Sequence, residues 1–146
     1  MRVFCGQLII LDTAHNPAAA RALLSQLNWH LGRSRRGASP LSPSFDLVFG
    51  SLVDKDYAAT FALLASQSAG GLILTFSHEQ SLTAADASQL AAAAPSGVEF
   101  ELGNVSGLRA WIMRRRATGR LHRPLVVTGS FALIGQVMEE LRFDPL

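Results

Sequence analysis

Short apolar runs alternate with helix-patterned segments along the whole chain, and this alternation constrains the fold more than any other feature. The apolar, β-branched runs occupy residues 3–11, 45–50, 72–76, 98–102 and 125–128. Segments with apolar residues at helical spacing follow them at 17–31, 57–68, 83–94 and 106–118, and a last one carries Leu133, Val137 and Leu141. Strand–helix alternation of this kind predicts an α/β fold: a mostly parallel sheet with helices on both faces. In such sheets the ligand crevice lies beyond the carboxyl ends of the strands. Three polar knots fall at predicted strand ends, at 12–17, 51–56 and 128–130. Chemistry is to be sought there.

Local signals set the boundaries. Asn16 is placed to cap the first helix and Pro17 suits its first turn. Ala20, Leu23, Leu24, Leu27 and Leu31 then form one apolar stripe, and Gly32 is the expected stop. Residues 33–44, rich in Arg, Ser and Pro, read as an exposed loop. Thr83 and Asp86 fit a helix start. The run 98–102 alternates apolar and charged residues, which places it near a sheet edge. Gly6 marks a turn or bulge near the start of the first strand, and Trp29 and Trp111 read as helix packing residues.

The chain has 146 residues, 49% of them hydrophobic and 16% charged, a balance that suits one globular domain. No apolar run reaches membrane-spanning length, and no signal peptide is evident. The single cysteine, Cys5, excludes an intrachain disulfide and reads as a small buried residue of the first strand; a reducing cytoplasm is the expected setting. Of thirteen basic residues only Lys55 is a lysine. Arg33, Arg35 and Arg36 cluster, as do Arg114, Arg115 and Arg116. Neither cluster is interleaved with aromatic stacking platforms, so both read as solvated surface rather than a nucleic-acid site.

Several chemistries lack their motifs. No G-x-x-x-x-G-K-[ST] loop is present to cradle a triphosphate, and no G-x-G-x-x-G turn to hold a dinucleotide. His15, His30, His78 and His122 show no metal-ligand spacing, so no metal site is expected on this chain. Ser130, His15 and Asp12 supply the residue types of a hydrolytic triad, but the T-G-S-F-A context is not a nucleophile elbow. His78 reads as a surface-loop histidine.

The three knots also carry a resemblance. The run L-D-T-A-H-N-P at 11–17 resembles the D-G-A-H-N-P signature of folylpolyglutamate synthases and dihydrofolate synthases, within the Mur ligase superfamily. V-F-G-S-L-V-D-K-D at 48–56 is similar to the V-F-G-x-L-x-D-K-D segment of that family, and V-V-T-G-S-F-A-L-I-G at 126–135 to its V-T-G-S-x-x-x-x-G segment. All three stand in the family's order. The resemblance implies a three-layer, Rossmann-like domain equivalent to the family's C-terminal domain. It also implies an ATP-dependent ligase in which a carboxylate of folate or dihydropteroate is phosphorylated and then attacked by the amino group of L-glutamate. A P-loop domain supplied in cis or in trans is the implied partner; it would bring the magnesium ligands and most of the folate site. Thr13 departs from the pattern, standing where the family has Gly, and a positive φ at that position would strain it.

By the same resemblance Asp12, His15 and Asn16 are nucleotide-binding candidates. Asp12 accepts ribose hydroxyls, or else caps the following helix; His15 contacts the nucleotide or its phosphates, or else satisfies loop carbonyls; Asn16 is either a ligand contact or the helix cap. Lys55 and Ser130 are the catalytic candidates. Asp54 and Asp56 flank Lys55 as a charged lip, or simply begin a helix, while Thr128 and Gly129 line the cleft with Ser130, or make a tight turn and cap. Two other readings stay open: a Mur-type ligase of cell-wall peptide precursors, and a non-catalytic nucleotide-binding or regulatory module.

Overall fold

A computed structural model describes residues 1–33, 45–119 and 123–143. Residues 34–44 of the loop expected over 33–44, and His122, lie outside the described residues. The strands are β1 (Arg2–Phe4), β2 (Gln7–Leu11), β3 (Phe45–Phe49), β4 (Ser68–Thr75), β5 (Phe100–Asn104) and β6 (Leu125–Thr128). The helices are α1 (Pro17–Arg33), α2 (Tyr57–Ala65), α3 (Ala84–Ala92), α4 (Leu108–Ala117) and α5 (Phe131–Glu140), with one 3-10 turn at Val105–Gly107 ahead of α4. The strands form one sheet in the order β1-β2-β6-β3-β4-β5. Only the β1–β2 pairing is antiparallel; the other four are parallel.

Two apolar layers cover the sheet because its residues alternate between faces. Phe45, Leu47 and Phe49 pack with α1, α2 and α3 through Leu23, Leu24, Leu27, Phe61, Leu64 and Leu90. Val48 on the same strand faces the other way, and packs with Ile9, Leu72, Leu74, Leu125 and Val127 against Leu108, Trp111, Ile112, Leu133 and Val137 of α4 and α5. The path explains the division. The chain moves outward from β2 through β3 and β4 to β5 with its helices on one face. It must then return to β6, and keeping the hand of the crossover puts α4 on the opposite face. β6 therefore enters the sheet last, between β2 and β3. The helices that follow β2 and β6 leave from opposite faces, which makes this neighbourhood the topological switch point.

Several boundaries differ from the sequence reading. The run 3–11 is a hairpin, not one strand: Cys5 and Gly6 form its two-residue turn with φ of 49° and 82°. Positive φ at both turn residues is what a tight hairpin requires. Cys5 is thus exposed, not a buried strand residue. α1 continues through Gly32 to Arg33. The helix expected over 57–68 stops at Ala65, because Ser68 already pairs with Phe45 and β4 begins there rather than at 72. β5 lies two residues later than expected but is an edge strand, as its alternation predicts. The cap of α3 forms in full: the Thr83 side chain accepts from Asp86 N and the Asp86 carboxylate accepts from Thr83 N. Trp111 is buried, but Trp29 is 59% exposed and does not pack in the core. Arg115 is buried rather than solvated. Among the described residues, no helix is long and apolar enough to cross a membrane.

Candidate functional site

The three knots meet at the carboxyl edge because β6 lies between β2 and β3. Asp12 N donates to Val127 O at 3.0 Å, and Gly50 N donates to Thr128 O at 3.3 Å, so the loops after β2 and β3 flank the tip of β6. Buried Thr128 ties the first loop down, its hydroxyl donating to Ala14 O at 3.3 Å. Gly129 makes the junction feasible. Its φ is +126°, and a Cβ there would lie 2.0 Å from Gly50 O. No other residue type allows so close an approach of the two strand tips.

A hollow of about 290 Å³ opens where the loops meet, lined by His15, Leu52, Lys55, Gly129, Ser130, Phe131 and Ala132. Four predicted residues, one or two from each loop, are thereby brought together. Ser130 caps α5: its Oγ accepts from Ala132 N at 3.1 Å, which leaves the hydroxyl hydrogen to donate. His15 is oriented by its own loop, with Nδ1 3.0 Å from Thr13 O and its ring 6.2 Å from that of Phe131. The Lys55 ammonium is half-exposed and stands 3.9 Å from the Asp54 carboxylate. A cation beside the first turn of a helix makes a basin for negative charge.

The other predicted residues frame the hollow without lining it. Asp12 Oδ1 accepts from Ala14 N at 2.8 Å, which shapes the loop. Asn16 Oδ1 accepts from Ala19 N at 2.8 Å, so Asn16 acts as the cap of α1. Asp54 is partnered with Lys55. Asp56 precedes α2 without a side-chain cap; its carbonyl accepts from the Thr60 hydroxyl at 2.8 Å. Thr13 is not strained, since Cys5 and Arg142 are the only non-glycine residues with positive φ among those described. Sequence reasoning missed Leu52, Ala132 and Phe131, the last 70% exposed. An apolar residue opening a helix reads as core, and only its place at the tip of β6 turns it outward. A wider polar hollow of about 640 Å³ lies at the tips of β4 and β5, lined by Asn104, Ser106 and Gln136 among others and by no predicted residue.

The fold has counterparts among solved structures. The ligand-free bifunctional folylpolyglutamate synthase/dihydrofolate synthase from Yersinia pestis matches at 28% identity and a TM-score of 0.66, over 98% of this chain and 31% of its own. This chain resembles the C-terminal domain of the folylpolyglutamate synthases and shares its fold. The Mycobacterium tuberculosis folylpolyglutamate synthase complexed with ADP and AMPPCP matches at 24% identity and 0.64, over 94% of this chain and 30% of its own. A bifunctional folylpolyglutamate synthase/dihydrofolate synthase with Mn, AMPPNP and L-glutamate bound matches at 24% and 0.65, over 98% and 31%. The chain therefore spans about 30% of the length of the folylpolyglutamate synthases it matches. No family model and no curated protein matches the sequence.

Proposed function

We propose that this chain is the C-terminal domain of an ATP-dependent ligase that adds L-glutamate to folate or dihydropteroate through an acyl phosphate, working with a P-loop domain in cis or in trans in the cytoplasm. The observation that carries the reading is the meeting of His15, Lys55, Gly129 and Ser130, from three separate loops, around one hollow. In this reading Lys55 and the first turn of α5 hold negative charge, either the carboxylates of glutamate or the oxygens of the acyl phosphate. Holding two anionic reactants in one small basin is the main work such a domain has to do, since the bimolecular step gains most from orientation. Asp12, beside the mouth, accepts from ribose hydroxyls with the carboxylate oxygen that Ala14 N leaves free.

The residues described here do not make a metal cage: no group of three or more His, Cys, Asp or Glu is placed to hold an ion. The resemblance puts magnesium on the P-loop side. The reading is tested by recombining the chain with its P-loop partner and measuring phosphate release. Release is expected only when ATP, folate or dihydropteroate, and glutamate are all present. Release with a UDP-linked peptide in place of folate would move the assignment to the cell-wall ligases, and no release with either acceptor would overturn it.

A further inference from the structure

We propose that His15 is the base of this ligase, taking a proton at Nε2 from the ammonium group of the incoming amino acid; the inference rests on the ligase reading given above. The argument starts from Thr13 O, 3.0 Å from His15 Nδ1. A carbonyl oxygen can only accept, so Nδ1 carries the hydrogen of that bond. In the neutral imidazole the other nitrogen, Nε2, is then a bare lone pair. His15 lines the hollow, and Nε2 is the only polar atom its ring has left to offer there; among the described residues it has no partner. A neutral His15 therefore meets the cleft as an acceptor. It cannot donate to a phosphate oxygen unless it is first protonated, whereas an ammonium hydrogen is what a lone pair in this place fits.

The neighbours support the same direction of transfer. Lys55, from the loop after β3, lines the same hollow with its ammonium 3.9 Å from Asp54. Asp12 in His15's own loop is engaged with Ala14 N, and Ser130 and Phe131 of α5 bring no charge. Lys55 can hold a carboxylate of the amino acid while its ammonium end reaches His15. The transfer balances simply. His15 takes one proton from the ammonium, and the freed amine attacks the acyl carbon. The new C–N bond forms, the bond from the acyl carbon to the bridging oxygen breaks, and phosphate leaves with the bonding pair. Of the two protons left on nitrogen one goes to the departing phosphate and the other stays as the amide N–H, and imidazolium returns its own to solvent.

The test uses two nucleophiles on the ligase assembled from this chain and its P-loop partner, in the wild-type form and as His15→Asn. Asparagine keeps a donor toward Thr13 O but removes the distal nitrogen. Hydroxylamine is already neutral near neutral pH and traps an acyl phosphate without a base. The variant is expected to lose about 10²–10⁴-fold more in amide formation with glutamate than in hydroxamate formation. Equal loss of both products gives His15 a part in forming or holding the acyl phosphate instead; it overturns the proposal and leaves the ligase reading standing. A wild-type assembly that makes neither product overturns both. As a measurement independent of any variant, nitrogen-15 spectra of the wild-type chain are expected to show the His15 hydrogen on Nδ1. A hydrogen on Nε2 overturns the proposal.

Discussion

The two edges of the sheet carry polar groups in opposite ways. At the amino edge, Asp46, the second residue of β3, is 2% exposed and accepts from the guanidinium of buried Arg115, and from Arg123 at 3.4 Å. Arg115 also lies 4.6 Å over the ring of Trp111, whose Nε1 donates to Glu101 at 2.5 Å. Buried Gln7 fixes the segment before β6 by donating to Arg123 O at 2.9 Å. At the carboxyl edge, Lys55 is half-exposed, His15 is oriented by its own loop and lies beside the Phe131 ring, and the Ser130 side chain accepts from the first turn of α5. The difference teaches how to separate structural from chemical charge. A charge taken out of water has to be matched by protein, and once matched it has little to offer a ligand. Polar atoms fixed by nearby backbone and turned into a hollow keep that capacity.

The largest effect expected from this contrast is at the amino edge. Replacing Asp46 with Ala leaves two guanidinium groups without their shared carboxylate, one of them buried, and should cost about 3–5 kcal/mol of stability in urea unfolding. A variant as stable as the parent would break the contrast, because it would mean that the buried charges are not matched through Asp46. Next comes the junction itself. Gly129→Ala puts a side chain at φ +126°. The backbone conformation alone costs about 1–3 kcal/mol. The contact with Gly50 O adds to this by forcing the tips of β3 and β6 apart. Thermal unfolding should show the loss.

Much of this was legible in the sequence, and the failures share a cause. The sheet and its layers follow from alternation, a local property. The cap at Thr83 and Asp86 is local too, and so is the turn at Gly129 and Ser130. What could not be read depends on tertiary pairing. Nothing within Arg114-Arg115-Arg116 says which arginine goes inward; Asp46, sixty-nine positions away, decides it. The turn expected at Gly6 is there, but Cys5 gives no signal for positive φ, and the apolar run around it hides that the turn splits 3–11 into a hairpin. The helix expected over 57–68 ends early because the pairing of Ser68 with Phe45 overrides local helical preference. In the site, the motifs gave the residues that meet but not how each is occupied: Asn16 spends its oxygen on α1, whereas His15 spends one nitrogen and keeps the other.

Asn16 sharpens the comparison at a smaller scale. As a cap, Asn16→Ala should cost about 1 kcal/mol in unfolding, and Asn16→Asp should restore most of it. Nucleotide affinity of the chain assembled with its proposed P-loop partner, measured by calorimetry, should change little in the Asp variant. A loss of affinity there without a loss of stability would return Asn16 to the ligand contacts.

The smallest expected effect on stability belongs to the residue expected to matter most for turnover. Lys55 pairs with Asp54 at 3.9 Å, with both side chains well exposed at 39% and 50%. Solvent screens such a pair, so Lys55→Met should move unfolding stability by no more than about 0.5 kcal/mol. At the amino edge, removal of a charge is read in the unfolding curve. At the carboxyl edge, it should be read only when a ligand is present. Lys55→Met should raise the KM for glutamate and lower turnover by about 10²-fold or more, as expected when a preorganised charge at the reacting group is removed. Lys55→Arg keeps the charge but replaces a compact ammonium with a planar fork, and it should recover only part of the rate. If Lys55→Met instead destabilised the chain and left turnover intact, the two edges would differ in exposure alone, and the carboxyl hollow would have no claim to chemistry.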